Sequence, residues 1–285
     1  MLAHTTRQLM PTAGTLYLVS TPIGNLADIT YRAVDVLRKV ALIAAEDTRH
    51  TRHLLSRYDI RARLESFHEH SEAERIVSLI TTLEAGGDVA LVSDAGTPLL
   101  SDPGSRLVTA AIERGLRVVP IPGASALLAA LVGSGLEMST FTFLGFLPRR
   151  GREREEALAF LSGLPHTGVL YEAPTRVAGT LADLVRVGCG SRRCVVGREL
   201  TKQYEEFRRG TVSELSRYYV DNSVRGEIVL VLEGQVESPV DTIQLARVAH
   251  ELRAQGYSSR EVASMLRDAH GAPRNVAYRL AHETT

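Results

Sequence analysis

The sequence lacks the features that place many chains in a class at once. Its 285 residues contain two cysteines, Cys189 and Cys194, too few for a disulfide framework or a cysteine-rich zinc site, so reduced thiols are expected. No apolar run approaches the roughly 20 residues of a membrane-spanning helix, so no membrane partner is expected. Residues 1–13 lack the apolar core of a signal peptide, which predicts a flexible tail and a cytoplasmic protein. Lys plus Arg and Asp plus Glu balance at 33 each, which excludes a strong overall field but not a local basic face.

Familiar catalytic motifs are also missing. The sequence contains no G-x-G-x-x-G after a strand, no Walker-type phosphate loop, no G-x-S-x-G elbow and no H-E-x-x-H. Dinucleotide redox chemistry, NTP hydrolysis at a P-loop and α/β-hydrolase chemistry therefore lose support. His68 and His70 suggest a metal site, but Ser71 and Glu74 beside them form a capping box that opens a helix, so no metal is predicted.

Short apolar segments alternate with amphipathic segments over the first half of the chain. The strand-like segments are Thr15–Ser20, Ala41–Ala45, Val89–Ser93 and Leu116–Ile121. The helix-like segments are Tyr31–Val40, Thr48–Arg57, Glu72–Glu84 and Ser105–Arg114. This alternation predicts a mostly parallel sheet covered by helices, and we assign residues 14–136 to such an α/β domain.

The pattern changes in the second half of the chain. Residues 137–234 alternate strand and helix candidates less regularly, beginning with a strand-like segment, Thr140–Phe146, that has one exposed face. They predict a second α/β domain with a mixed sheet. Residues 235–240 have the composition of a linker, and three short helical patterns then predict a helical C-terminal appendage over residues 241–285.

The most informative segment is residues 91–104. A buried strand ends there at Asp94 and enters a loop rich in glycine and proline, and ligands in open α/β sheets bind beyond the carboxyl ends of strands. Asp94 would accept hydrogen bonds, Gly96 would let a ligand approach the backbone, and Pro98 would set the exit direction. The alternative is an ordinary turn with a helix N-cap at Ser101 or Asp102. Both roles are compatible, so we expect this loop to bind a ligand and to cap the next helix.

Polar or Gly/Pro-rich clusters follow most of the other predicted strands as well. They are Thr21–Leu26, Glu46–Arg49, Pro120–Ser125, Tyr171–Arg176 and Arg198–Lys202. Each alone has a simple structural explanation, such as a helix start at Glu46 and Asp47 or turn chemistry at Pro122. Their shared position at strand ends favours one common site, because these loops converge at one edge of a parallel sheet.

Taken together, these segments resemble a known family. The matching stretches are residues 21–30, 45–50, 93–98, 101–104, 145–148, 171–174 and 198–202. They are similar to the bacterial 16S rRNA cytidine 2′-O-ribose methyltransferases of the tetrapyrrole methylase superfamily. The central loop is Asp-Ala-Gly-Thr-Pro here, where tetrapyrrole-modifying members usually carry a shorter Gly-Asp-Pro, which fits the RNA branch better. This leaves open whether Asp94 or Thr97 takes the role of the shorter loop's Asp.

The resemblance implies two α/β domains with S-adenosylmethionine (SAM) bound in the cleft between them, in a homodimer. The substrate would be the ribose of a decoding-centre cytidine in the 16S rRNA of the small ribosomal subunit. Carried over motif by motif, the SAM site would comprise Pro22, Ile23, Asp94, Gly96, Thr97, Pro98, Ser125, Ala126, Tyr171, Glu172, Arg198, Gly226 and Glu227.

The catalytic candidates are the ionisable residues at strand ends that face the predicted cleft. A ribose hydroxyl is a poor nucleophile, so it needs a base or a cation that stabilises the developing alkoxide. Glu46, Asp47 and Glu199 are the base candidates, whereas Arg49 and Lys202 would hold phosphate or the attacking oxygen. Two other functions stay open, a tetrapyrrole methyltransferase of the same superfamily and a non-catalytic SAM-binding factor in ribosome assembly.

Overall fold

The computed structural model describes residues 13–68, 72–235 and 242–283, and the chain divides after Gly234 into two compact units. The predicted tail over residues 1–13, the linker over residues 235–240 and the His68–His70 motif fall largely outside the described residues. The finer domain boundary near residue 136 stays a prediction. Within the described ranges, no helix has both the length and the apolar character needed to cross a membrane.

The first unit opens with a five-stranded parallel sheet, which confirms the predicted α/β fold class. Its strands are β1 Thr15–Val19, β2 Leu42–Ala45, β3 Leu64–Ser66, β4 Val89–Val92 and β5 Arg117–Ile121. They are ordered β3-β2-β4-β1-β5, and every neighbouring pair is parallel. The sequence analysis missed β3, because a half-buried edge strand of three residues is too short to show a periodicity.

Helices cover both faces of this sheet. They are α1 Tyr31–Lys39, α2 Thr48–Arg57, α3 Glu72–Glu84 and α4 Ser105–Glu113. Leu79 of α3 and Leu107 of α4 belong to the core on one face, and Leu37 of α1 and Leu55 of α2 belong to the core on the other. Burial on both faces explains why β2 and β4 consist of apolar residues throughout.

A second five-stranded sheet occupies the remainder of the first unit. Its strands are β6 Phe141–Phe146, β7 Thr167–Glu172, β8 Arg193–Arg198, β9 Glu206–Thr211 and β10 Ile228–Leu232. The order is β6-β7-β10-β8-β9, with β6 and β7 parallel and the other pairs antiparallel, so the predicted mixed sheet is confirmed. Three helices pack against one face, α6 Arg152–Gly163, α7 Val177–Leu184 and α8 Val212–Asp221.

Helix α5, Ala126–Ser134, covers the other face of the second sheet. Leu127 and Leu131 of α5 share a core with Val169 and Val229 of that sheet. Ile23, from the loop after β1, lies in the same core. Residues of the first half of the chain therefore help to bury the second sheet, and the two halves are held together by apolar contact.

A buried polar network fixes the loop that follows β6. Arg154 is nine-tenths buried, and its guanidinium donates to Asp183 (2.8 Å), to Thr180 (3.0 Å) and to the carbonyl oxygen of Pro148 (3.0 Å). The Thr180 hydroxyl in turn donates to the fully buried carboxylate of Glu172 at 2.5 Å. Because each buried polar group has a partner, the network orders this region rather than destabilising it.

The described part of the second unit, residues 242–283, contains three helices around a small core of its own. They are α9 Thr242–Ala254, α10 Ser259–His270 and α11 Arg274–Glu283. Leu245, Val262, Leu266 and Ala277 are among the buried residues of this core. Ser258 and Glu261 form a capping box at the start of α10, and Gly271 ends that helix in the left-handed conformation.

The prediction that Ser101 or Asp102 caps the helix after the Asp94 loop is wrong. Helix α4 begins at Ser105, and its N-cap residue is Gly104, which has no side chain to make a capping hydrogen bond. Gly104 has φ +120°, and a Cβ there would lie 2.7 Å from Leu91 Cδ2. Ser101 itself has φ +71°, so the loop before the helix contains a strained backbone conformation.

We expect Gly104→Ala to lower the free energy of unfolding by roughly 1–3 kcal/mol, because it combines an unfavourable φ with a clash in the core. Gly115→Ala is the matched control, since Gly115 also has positive φ but no atom lies within 4 Å of a Cβ built there. Urea unfolding of both variants measures the difference. An equal loss in the two variants would show that φ alone matters and that the core accommodates the methyl group.

Candidate functional site

The loops after β1 and β4 are joined directly by backbone hydrogen bonds. The Thr21 N–H donates to the Gly96 carbonyl at 2.9 Å, and the Gly96 N–H donates to the Thr21 carbonyl at 3.0 Å. Gly96 has φ +83°, and a Cβ there would lie 3.2 Å from Ile23 Cγ2, so both conformation and space favour glycine. The two loops form one wall of a cleft, as their position at the carboxyl ends of parallel strands predicts.

The cleft encloses a cavity of about 480 Å³ between the first sheet's loops and the second sheet. Ten predicted site residues line it: Ile23, Glu46, Asp94, Gly96, Thr97, Ala126, Tyr171, Glu172, Gly226 and Glu227. This volume lies within the range of small-molecule sites. The structure thus brings together predicted residues from six separate stretches of the chain.

Three carboxylates lie on the first sheet's side of the cavity, on Glu46, Asp94 and Asp102. Burial raises the pKa of Glu46, and the negative charges of Asp102 and Asp94 raise it further. Burial likewise raises the pKa of Asp102, which a hydrogen bond with Ser93 opposes and the charge of Asp94 reinforces. Like charges held close together favour a cation between them, so this wall suits a positively charged ligand.

Aromatic side chains form the opposite wall. Tyr171 makes an edge contact with Phe143 at 4.9 Å between ring centroids and a tilted contact with Phe146 at 5.6 Å. Burial raises the pKa of Tyr171, so its hydroxyl stays neutral at pH 7. Phe146 is 56% exposed and lines the cavity, where it offers a flat apolar surface to a planar ligand.

Glu199, Lys202 and Glu227 form an ion cluster beside the cavity. The Lys202 ammonium donates to Glu199 at 2.9 Å and lies 3.2 Å from the Glu227 carboxylate. A hydrogen bond from the Glu227 N–H and then the Lys202 ammonium lower the pKa of Glu199. Burial opposes the charge on Lys202, but Glu199 and Glu227 raise its pKa overall. Glu199 is therefore an ionised partner and a poor base, and Lys202 stays a cation.

Asp47 and Arg49 pair with each other at the start of α2. The Asp47 carboxylate caps the helix by accepting from the Arg49 N–H at 2.7 Å, and it accepts from the Arg49 guanidinium at 2.8 Å. The Arg49 side chain's hydrogen bond lowers the pKa of Asp47 to about 2. The Asp47 N–H also donates to Asp94 Oδ1 at 2.8 Å, which ties this helix start to the cleft wall.

Several predicted site residues lie away from the larger cavity. Pro22 and Lys202 line a smaller cavity beside it, whereas Pro98, Ser125, Arg198, Asp47, Arg49 and Glu199 line neither cavity. Ser125 accepts from the Leu128 N–H as the N-cap of α5. The Arg198 guanidinium donates to the Arg225 carbonyl at 2.8 Å and lies 3.8 Å from Glu206. Their polar groups thus have roles within the fold.

Sequence reasoning missed other residues that line the larger cavity. They include Leu100, Ser101, Asp102, Phe146, Pro174 and Leu200. Ser101 and Asp102 lie within residues 91–104, where the sequence predicts a helix cap, whereas the structure places both in the lining of the cavity. Phe146 lies within one of the stretches that carried the family resemblance, and its exposed ring is the signal that only the structure reveals.

Comparison with known proteins identifies the family. The Tetrapyrrole (Corrin/Porphyrin) Methylases family matches residues 15–216. The chain belongs to this tetrapyrrole methylase family. A relative from Micromonospora olivasterospora, named ribosomal RNA small subunit methyltransferase I, is 47% identical over 277 residues, which are 95% of this chain and 88% of that protein. The protein of the same name from Escherichia coli O157:H7 is 43% identical over 277 residues and 95% of both chains.

Solved structures share the fold of this tetrapyrrole methylase at low identity. Cobalt precorrin-4 methyltransferase superimposes with a TM-score of 0.60 at 18% identity, covering 77% of this chain and 94% of that one. Uroporphyrin-III C-methyltransferase from Thermus thermophilus, in complex with S-adenosyl homocysteine, gives 0.56 at 19% identity, with 77% and 97% covered. Membership confirms the predicted cofactor, because this is a family of SAM-dependent methyltransferases.

Burial of Glu46 and Asp102, reinforced by repulsion among the carboxylates, predicts a pH effect on stability. Glu46 and Asp102 bind protons more tightly in the folded protein than in the unfolded chain, so their ionisation lowers the free energy of unfolding as the pH rises through their titration. We expect Asp102→Asn to reduce this loss and to lower the pKa of Glu46. Urea unfolding across pH 4–8 and carboxyl NMR titration measure both effects. Asp35→Asn, at an exposed position of α1, is the control. An unchanged Glu46 titration in Asp102→Asn would contradict the coupling.

Proposed function

We propose that this protein transfers the methyl group of SAM to the ribose 2′-hydroxyl of a decoding-centre cytidine in 16S rRNA. The acceptor belongs to the small ribosomal subunit, and the enzyme acts as a homodimer in the cytoplasm. The observation that carries this proposal is the cleft itself, in which an anionic and aromatic cavity adjoins the cationic Lys202. The relatives named ribosomal RNA small subunit methyltransferase I support the substrate class.

The residues of the larger cavity fit SAM in charge and shape. SAM carries a sulfonium and an ammonium group, which suit the wall formed by Glu46, Asp94 and Asp102. Its adenine ring suits the aromatic wall that contains Tyr171 and Phe146. When bound, SAM supplies an electrophilic methyl group. The protein holds the acceptor oxygen in line with that methyl group. It also accepts the proton of the hydroxyl group and stabilises the negative charge that develops on the oxygen.

Lys202 is the residue suited to stabilise the attacking oxygen. Its raised pKa keeps it cationic, and its ammonium is fixed by Glu199 and Glu227 beside the cleft. A preorganised cation stabilises negative charge that develops on the oxygen in the transition state. Glu199 positions that ammonium, because its lowered pKa makes it a weak proton acceptor.

Glu46 is the strongest of the three base candidates. Its pKa is raised toward the working range of a general base, whereas the pKa values of Asp47 and Glu199 are lowered. Glu46 lines the larger cavity, so it accepts the hydroxyl proton as the methyl group moves to oxygen. Arg49, whose side chain is 86% exposed, is placed to contact RNA phosphate outside the cavity.

The rRNA assignment competes with a tetrapyrrole substrate and with a non-catalytic assembly factor. Identity to rRNA methyltransferases reaches 47%, against 18–19% for the tetrapyrrole enzymes compared above, which favours rRNA. To test the proposal, undermethylated 30S subunits are incubated with tritiated methyl-SAM and digested with nuclease. We expect label in 2′-O-methylcytidine. Label on a base would overturn the ribose assignment, and SAM binding without transfer would favour the assembly factor.

Lys202→Met should lower kcat for methyl transfer by roughly 10²-fold, as the loss of one transition-state charge contact does. The Kd for SAM, measured by calorimetry, should stay within about twofold, because Lys202 lies outside the larger cavity. Lys39→Met is the matched control, since Lys39 is the only other lysine and lies on the exposed end of α1. A parallel loss of SAM affinity in Lys202→Met would instead make this residue part of the cofactor site.

A further inference from the structure

A second cavity of about 360 Å³ adjoins the larger one. The two cavities share Ile23, Asp94, Ala95 and Glu227 in their linings, so they adjoin at one common wall. The proposed reaction needs two sites that meet at the transferred methyl group. Two adjoining cavities with a shared wall provide that arrangement.

The smaller cavity differs in chemistry from the larger one. Besides the shared carboxylates of Asp94 and Glu227, its lining includes groups that the larger cavity lacks. They are the imidazoles of His50 and His53, the ammonium of Lys202 and the apolar side chains of Leu26 and Leu54. Imidazole and ammonium groups donate hydrogen bonds to anionic or hydroxyl oxygens, and the apolar residues suit the face of a base. This combination matches a nucleotide better than it matches the cationic cofactor.

Helix α2 presents the two histidines together. His50 and His53 are three residues apart, so they lie on the same side of the helix, and both are exposed. Neither imidazole hydrogen-bonds to any other residue in the described parts of the chain. Asp47, through its cap and its N–H bond to Asp94, fixes the start of α2 against the cleft wall. The histidines are therefore held at the cavity with no hydrogen bond to the described residues, although the charge interaction with His50 contributes to the lowered pKa of Asp47.

Gly24 brings Lys202 to the junction of the cavities. A Cβ on Gly24 would lie 2.3 Å from Lys202 Cγ, so the lysine stem packs directly on the glycine backbone. Beyond that contact the ammonium reaches Glu199 and Glu227, and Glu227 belongs to the shared wall. An acceptor oxygen in the smaller cavity would thus lie near both the cation and the cofactor.

We propose that the smaller cavity receives the acceptor nucleotide of the RNA, with His50 and His53 as its recognition residues. This inference rests on the proposed function, because it names where that reaction's substrate binds. The nucleotide must leave its base stack to enter a cavity, as in other enzymes that act on single nucleotides. The histidines would then donate to the sugar and phosphate oxygens of the extruded nucleotide while the base lies against Leu26 and Leu54.

The test uses the full chain with His50→Ala, His53→Ala and the control Ser56→Ala, an exposed residue of the same helix outside both cavities. Filter binding to undermethylated 30S subunits in the presence of S-adenosyl homocysteine measures RNA affinity without catalysis. We expect each histidine variant to raise the Kd and the KM for 30S subunits by about fivefold to tenfold, as a lost hydrogen bond does. The Kd for SAM and the behaviour of Ser56→Ala should be unchanged.

Unchanged 30S affinity and KM in both histidine variants would overturn the inference. A rise in the Kd for SAM as large as that for 30S subunits would also overturn it, since the cavity would then belong to the cofactor. Failure of the proposed function is a separate result, in which the wild-type protein leaves the ribose unlabelled. The binding comparison still decides the role of the histidines in that case.

Discussion

The paired backbone hydrogen bonds between Thr21 and Gly96 are the constraint on which the cleft depends. They join the loops that leave β1 and β4, neighbouring parallel strands, and so turn two separate strand ends into one continuous wall. Ile23, two residues beyond the bridge, lies in the core beneath the second sheet. The stretch from Thr21 to Ile23 therefore shapes the larger cavity and also connects the two sheets. A shift of one sheet against the other would change the wall of that cavity.

Backbone strain is concentrated in the loops beside this wall. Among the five described non-glycine residues with positive φ, Leu99 and Ser101 follow the bridge. Glu199 belongs to the ion cluster with Lys202 and Glu227, and Thr201 immediately precedes Lys202 in the chain. Such conformations cost free energy, and they persist where surrounding contacts determine them fully. Here the contacts are the Glu199 hydrogen bonds to Lys202 and Glu227 and the packing around Gly104.

Charge is divided across the site in a way that a net charge of zero conceals. The carboxylates of Glu46 and Asp102 line only the larger cavity, and the ammonium of Lys202 and two histidines line only the smaller one. The carboxylates of Asp94 and Glu227 belong to the wall that both cavities share. The larger cavity therefore suits a cationic ligand, and the smaller cavity offers hydrogen-bond donors to anionic or hydroxyl oxygens. Because local charges act over distances shorter than the protein's diameter, a neutral total leaves room for both.

The sequence by itself determined the strand–helix alternation, the bounds of α2 and α3, and the strand ends that carry Asp94 and Tyr171, because apolar periodicity and turn residues are local signals. Only the tertiary structure decided that Asp102 lines the cleft while Gly104 is the N-cap of α4, and that Arg198 bonds to Arg225 outside both cavities. It also decided that His50 and Lys202 line the same cavity. These outcomes depend on contacts between residues far apart in the chain. Local pattern shows which residues are polar and where strands end, but the direction of each side chain follows from what the folded chain places against it.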